Sequence, residues 1–290
     1  MADLANKQFE LAGVRWGLGL PILVEDGGFT PGVADPRAQS VARPMGDGSL
    51  FGVDYFGAPT WAWNFGVNAT TEGDALDALA GLTTAWRNNA GRVAPGSSLP
   101  LRYSLGGRTR RVYGRPRRIS VSVDNAIDAG YIPGVMDFEL EDHLHYDDDE
   151  QSIVLTLVNT SSGGWVFPNT FPIFTSGSGS RQGTIAVDGD APAHFQAVIQ
   201  GPVSAPSLVG SGWAFDLSSS LTAGQSVTVD TRTATVLRND GASLAGALSR
   251  RSKVGRARLK AGGQELVFTG ADSTGSARCT VKWRPANHSL

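Results

Sequence analysis

From residue 183 to residue 283 the chain repeats one pattern: a short run in which apolar and polar residues alternate, followed by a turn signal. The runs lie at 183–187, 194–199, 213–217, 226–230, 234–237, 265–268 and 277–283. A two-residue period puts every apolar side chain on one face of an extended strand and scatters them around a helix. Seven such runs in about a hundred residues therefore fold as a β-sandwich, each strand half buried and half solvated. Asn239-Asp240-Gly241 supplies a tight reversal, and Ala223-Gly224 and Ala261-Gly262-Gly263 precede strands in the same way. In the last run Cys279, Val281 and Trp283 share a face, so Cys279 reads as a small buried apolar residue rather than a nucleophile.

The first half follows the same logic with one interruption. Trp61, Trp63, Phe65 and Val67 alternate along 61–67, and the expected role of their face is core rather than an aromatic binding platform. Further strands are expected at 53–56, 99–104, 110–113, 119–123, 135–143 and 153–158. Between them Ala75, Leu79, Leu82 and Trp86 recur at three- and four-residue steps. That spacing predicts one amphipathic helix over 74–88, with Thr71 and Asp74 at its start. The aromatic, Pro-punctuated run from Trp165 to Phe174 and the Gly/Ser run after it cannot be sheet interior. The expected organisation is mainly β: an N-terminal domain over 1–160, a junction over 161–182 and a C-terminal sandwich over 183–290.

Charge divides the chain. Residues 1–160 carry 13 basic against 20 acidic residues, a balance of −7, and residues 161–290 carry 12 against 7, or +5. Such polarity suits head-to-tail contacts. Cys279 has no partner for a disulfide, the first ten residues lack an apolar signal core, and no apolar run reaches membrane-spanning length. A soluble protein assembled in a reducing cytoplasm is the expectation.

Chemistry-bearing clusters are few. His143 and His145 stand two apart in an acidic run and are the weak candidates for metal ligands. A solvated acidic turn is the favoured reading, and no metal or cofactor is expected. Arg108, Arg110, Arg111, Arg115, Arg117 and Arg118 form one basic stretch, and Arg250 and Arg251 open a second that runs to Lys260. Both are read as interface or strand-face residues rather than as a nucleic-acid site. Asp137, Glu139 and Glu141 alternate along one strand. No phosphate loop, nucleophile elbow or zinc-protease motif is present, so no enzymatic activity is expected.

The second half is similar to the C-terminal domain of siphophage distal tail proteins. The resemblance rests on Val166-Phe-Pro-Asn-Thr-Phe-Pro172, the segment from Gly183 to Phe195, Leu221 to Asp230 with Asn239-Asp-Gly241, Leu259 to Phe268, and the end from Ala277 to Arg284. In the first half it rests on the strand–helix–strand order and on Arg108 to Ile119 followed by Phe138-Glu-Leu-Glu141. His143 to Glu150 stands where the family has an acidic-Pro step. The resemblance implies a ring-forming, sandwich-like N-terminal domain and a galectin-like C-terminal sandwich. It further implies a homohexameric ring at the distal end of the tail, in the virion, joining tail tube protein to the tail-tip hub and to tail-fibre or receptor-binding proteins. DNA would pass the bore unbound, along walls that Asp137, Glu139 and Glu141 could line. The alternative is a carbohydrate-binding module in which Trp165, Trp213 and Trp283 stack on sugars.

Overall fold

The computed structural model describes residues 3–123, 125–157, 182–272 and 274–290. They form two compact units, one of residues 1–148 with 287–290 and one of residues 149–286. Both are mainly β. Among the described residues no helix is long and apolar enough to cross a membrane.

The first unit is built on an antiparallel sheet. In chain order it comprises β1 (Gln8–Leu11), β2 (Val14–Gly17), β3 (Ile22–Thr30), β4 (Thr60–Asn68), α1 (Glu72–Trp86), β5 (Leu99–Leu105), β6 (Arg108–Val121), β7 (Tyr131–Leu140) and β8 (His145–Asp147). Hydrogen bonding orders the strands β2-β1-β5-β6-β7-β4-β3, with β8 beside β6. The alternation at 61–67 does what its period dictates: Trp61, Trp63, Phe65 and Val67 are all buried. They pack with Phe9, Trp16, Tyr103 and Phe138 in one core, largely through edge-to-face ring contacts.

α1 lies on this core. Thr71 caps it, its Oγ1 accepting from Asp74 N at 3.2 Å, and Glu72 and Asp74 occupy the first turn where the helix dipole favours them. Ala75, Leu82 and Trp86 are buried and Leu79 packs beside them. Trp86 Nε1 donates to the Arg118 carbonyl at 3.1 Å, tying the last turn to β6. Gly130 (φ +76°) ends the turn before β7, where a Cβ would lie 2.3 Å from the Ala69 carbonyl oxygen.

Three expectations need correction. The strands read at 110–113 and 119–123 are one strand, β6, which passes through Pro116 by a bulge between Pro116 and Ile119. The strand read at 135–143 ends at Leu140, so His143 lies in the bend before β8. Of the strand read at 53–56, only Tyr55–Phe56 is extended and paired, with Pro36–Arg37. That ladder and a second, Val41–Ala42 with Ser49–Leu50, form a narrow arm between β3 and β4.

The second unit has two antiparallel sheets. Its strands are β9 (Gln151–Thr156), β10 (Gln182–Val187), β11 (Phe195–Gln200), β12 (Val203–Gly210), β13 (Trp213–Asp216), β14 (Ser226–Asp230), β15 (Thr235–Arg238), β16 (Gly262–Ala271) and β17 (Arg278–Trp283). One sheet runs β9-β17-β11-β14-β15 and the other β10-β16-β12-β13. Alternate residues of both are buried, among them Ile199, Val229, Cys279 and Val281 on the first and Leu208, Phe215 and Phe268 on the second. Burial pushes the Cys279 thiol up to about 12, so it packs as an apolar group. β9, placed by the sequence reading with the first half, pairs with β17. Of the junction read over 161–182, all but Gln182 lies outside the described residues.

Candidate functional site

Across β2, β1, β5 and β6 the register sets Arg15, Glu10, Arg102 and Arg111 side by side on one face. Arg15 Nε donates to Glu10 at 2.7 Å, and Arg102 Nη1 reaches the same carboxylate at 3.1 Å. Asp148, just past β8, accepts from Arg102 Nη2 at 2.7 Å and from the Arg111 guanidinium. The result is an unbroken row of three guanidiniums and two carboxylates. Arg102 and Glu10 are buried, so each charge depends on its neighbours for the solvation it has lost. Burial pushes the Asp148 carboxyl up, but the hydrogen bonds from Arg102 and Arg111 outweigh it and hold the group below the usual carboxylate range. The Asp148 bond, with help from Glu10 and against burial, raises Arg102.

The neighbouring row faces the core. Arg110 stands opposite Tyr103 and Asp147, is buried, and donates from Nη1 to the Ser289 carbonyl at 2.6 Å. Its Nε lies 3.3 Å from Asp147 Oδ1, an ion pair outside hydrogen-bond geometry. The Tyr103 hydroxyl meets His145 Nδ1 at 2.8 Å. Burial, then the Arg110 charge, depress His145 to about 4, which keeps the ring neutral at neutral pH.

The remaining candidates divide between partnered and open groups. Arg115 donates to the Ser97 and Ala94 carbonyls, and Arg117 pairs with Glu139 at 2.6 Å. With Glu141, which accepts from Ser98 Oγ at 2.8 Å, these side chains line one depression of about 280 Å³. Two basic candidates and two acidic ones thus share a single patch. Asp137 stands on the Glu139 side of β7, half-buried. Arg108 and Arg118 are exposed, without a carboxylate partner among the described residues. In the second unit Arg251 forms a fork on Asp216, two bonds of 2.9 Å, and Arg250 is exposed. Those bonds, joined by the ones from Ser207 and Ser249 and against the upward push of burial, bring the Asp216 carboxyl down to about 2.

His143, His145 and His288 meet in a groove of about 640 Å³ walled by Phe56, Trp61 and Leu140. His143 stacks on His288, ring centres 5.7 Å apart, and meets Phe56 at a tilt, 4.7 Å between centres. His145 stacks on Trp61 and spends Nδ1 on Tyr103. Among the described residues no three His, Cys, Asp or Glu side chains gather as a metal-holding group. Beside the groove rises the arm, and it carries what the sequence reading missed: Val41, Met45, Leu50, Phe51, Val53 and Tyr55 are all exposed. Six large apolar side chains thus stand in water along one arm, where single scattered ones are the norm.

No family model matches the chain, and no curated protein matches it. Solved structures do. The Dit protein (gp 19.1) of phage SPP1, described as a paradigm of the hub adsorption apparatus in phages that infect Gram-positive bacteria, matches with a TM-score of 0.59. That match covers 96% of this chain and 98% of the other at 13% identity. Chains of the phage P2 baseplate in its activated conformation, with calcium and with strontium, match at 0.53 and 10% identity, over 95% of this chain and 97% of theirs. The chain has the Dit fold. The matches run almost end to end, so they take in both units of this chain. Within it the tryptophans of the sugar-binding alternative are otherwise engaged. Trp283 is buried, and Trp213 packs on Phe195 and Phe215 and donates from Nε1 to the Arg258 carbonyl. Trp165 lies outside the described residues.

Proposed function

We propose that the protein is a structural subunit of a long-tailed phage tail tip, whose copies close into a six-membered ring between the tail tube and the tail-tip hub. The carrying observation is the end-to-end likeness to the hub protein of phage SPP1 and to chains of the phage P2 baseplate. A role in the virion at the distal end of the tail follows, one of assembly rather than catalysis. Receptor-binding or tail-fibre proteins would attach to the same ring.

The exposed arm supports closure. A cyclic ring needs two different, complementary surfaces on each subunit, and a lone copy gains nothing from holding six large apolar side chains in water. We assign the arm to one of these surfaces, with Arg108 and Arg118 as the charged contacts at the subunit boundary. Asp137, which has no basic partner among the described residues, is our candidate for the bore wall. Glu139 is paired with Arg117. The test is the mass in solution of the full chain and of a variant with residues 40–51 replaced by a short Gly/Ser turn. We expect a six-fold assembly for the first and a folded monomer for the second; a hexamer from both would remove the arm from the interface.

A further inference from the structure

The first basic stretch is largely spent inside the fold; the second is not. Between residues 249 and 260 the chain is pinned to the second unit at alternate points. Ser249 Oγ and the Arg251 fork hold Asp216, Ser252 Oγ accepts from Asp216 N at 2.9 Å, and Val254 and Ala257 are buried. Leu259 is buried too and exchanges both backbone hydrogen bonds with Ala193. Between the pins stand Arg250, Lys253, Arg256 and Lys260, all exposed and none with a carboxylate partner among the described residues. The anchoring holds four cations on one short segment without the entropy cost of ordering a free loop.

Its own side chains select the partner. Segment 249–260 itself carries no aromatic side chain, and its apolar residues Val254, Ala257 and Leu259 are buried. Protein interfaces draw their affinity from aromatic and apolar anchors, and single-stranded bases and sugars need aromatic platforms; the segment's own exposed side chains offer neither. What it offers is repeated positive charge with guanidinium forks suited to phosphate oxygens. We propose that loop 249–260 binds a phosphodiester polymer through its backbone charges, without reading bases or sugars. The proposal does not rest on ring formation, since one copy carries the whole surface.

The test is fluorescence titration of the full chain with three labelled probes: a 20-base-pair DNA duplex, poly(glycerol phosphate) and polyglutamate. Four phosphate contacts predict a log K against log salt slope for the duplex of about −3.6, hence roughly 100-fold weaker binding at 200 mM than at 50 mM salt. The combined variant Arg250→Gln, Lys253→Gln, Arg256→Gln, Lys260→Gln, its folding checked by thermal melting, should lose both the binding and the slope. Arg108→Gln with Arg118→Gln should change neither. Binding of both phosphate polymers, or of one alone, supports the proposal and names the source of the phosphate. Polyglutamate binding as tight as either, binding of none, or an unaffected quadruple variant overturns it, and the first of these would point to an acidic protein surface.

Discussion

Asp148 accepts from two guanidiniums, and the rest of its row is arranged around that fact. Removing one member of a buried ion pair strands the other, so Asp148→Ala should destabilise the first unit by about 3–5 kcal/mol in urea unfolding. Arg15→Gln, at the solvent end of the row with its side chain 30% exposed, should cost under ~1 kcal/mol. pH acts on the neighbouring row. In the unfolded chain His145 takes a proton near pH 6.5, whereas in the folded protein it does so only near 4. The unfolded state therefore binds the extra proton between those values, and stability should fall as pH drops through that window, by a few kcal/mol on the order implied by the shift. Asp148 adds a loss lower down, as pH falls through its depressed folded value. Unfolding midpoints measured from pH 7 to 4 for the protein and for His145→Phe would check this, the variant giving the flatter curve. The sequence reading placed Arg110 and Arg111 in a basic stretch and His145 and Asp148 in an acidic run, and singled out none of Glu10, Arg15 and Arg102. It could not say which arginines are buried, because Arg102 meets its carboxylate 46 positions away, across a strand pairing that only the folded sheet creates.

Elements with an internal period were legible and elements defined by long-range pairing were not. α1 was readable from its apolar stripe and from Thr71, and β4 from four alternating large side chains. Thr71→Ala should cost about 1 kcal/mol and Trp86→Ala about 3–5 kcal/mol by thermal unfolding, the second because a buried indole leaves a cavity on the sheet. β1, β2, β3, β8 and β12 went unread. β1 and β2 are four residues each, and in β1 the polar Gln8 and Glu10 are buried by partners from other strands, which blurs the alternation. β6 was split in two because Pro116 normally ends a strand, and here a bulge absorbs it. The rest of the arm beyond 53–56 went unread for a different reason: its apolar residues obey no period, because nothing among the described residues buries them.

At the scale of the whole molecule, the C-terminal residues return to the unit in which the chain begins. Asn287 Nδ2 donates to Asp147 Oδ1 at 3.1 Å and Ser289 accepts from Arg110. Deleting residues 287–290 should therefore weaken the first unit, by leaving Arg110 buried without Ser289, and spare the second; hydrogen exchange resolved by unit would register it. The reading of two consecutive domains did not anticipate this return, because four residues carry no pattern of their own. The resemblance to distal tail proteins was legible from the order of Gly-turn-strand segments, and the fold of the full chain agrees with it. On this reading the chain is a building block of the distal tail. Gold-labelled antibody against it, applied to intact tailed particles that encode it, tests that claim most directly. The account predicts label at the tail end remote from the head, and label on the head, or none on any part of the particle, would contradict it.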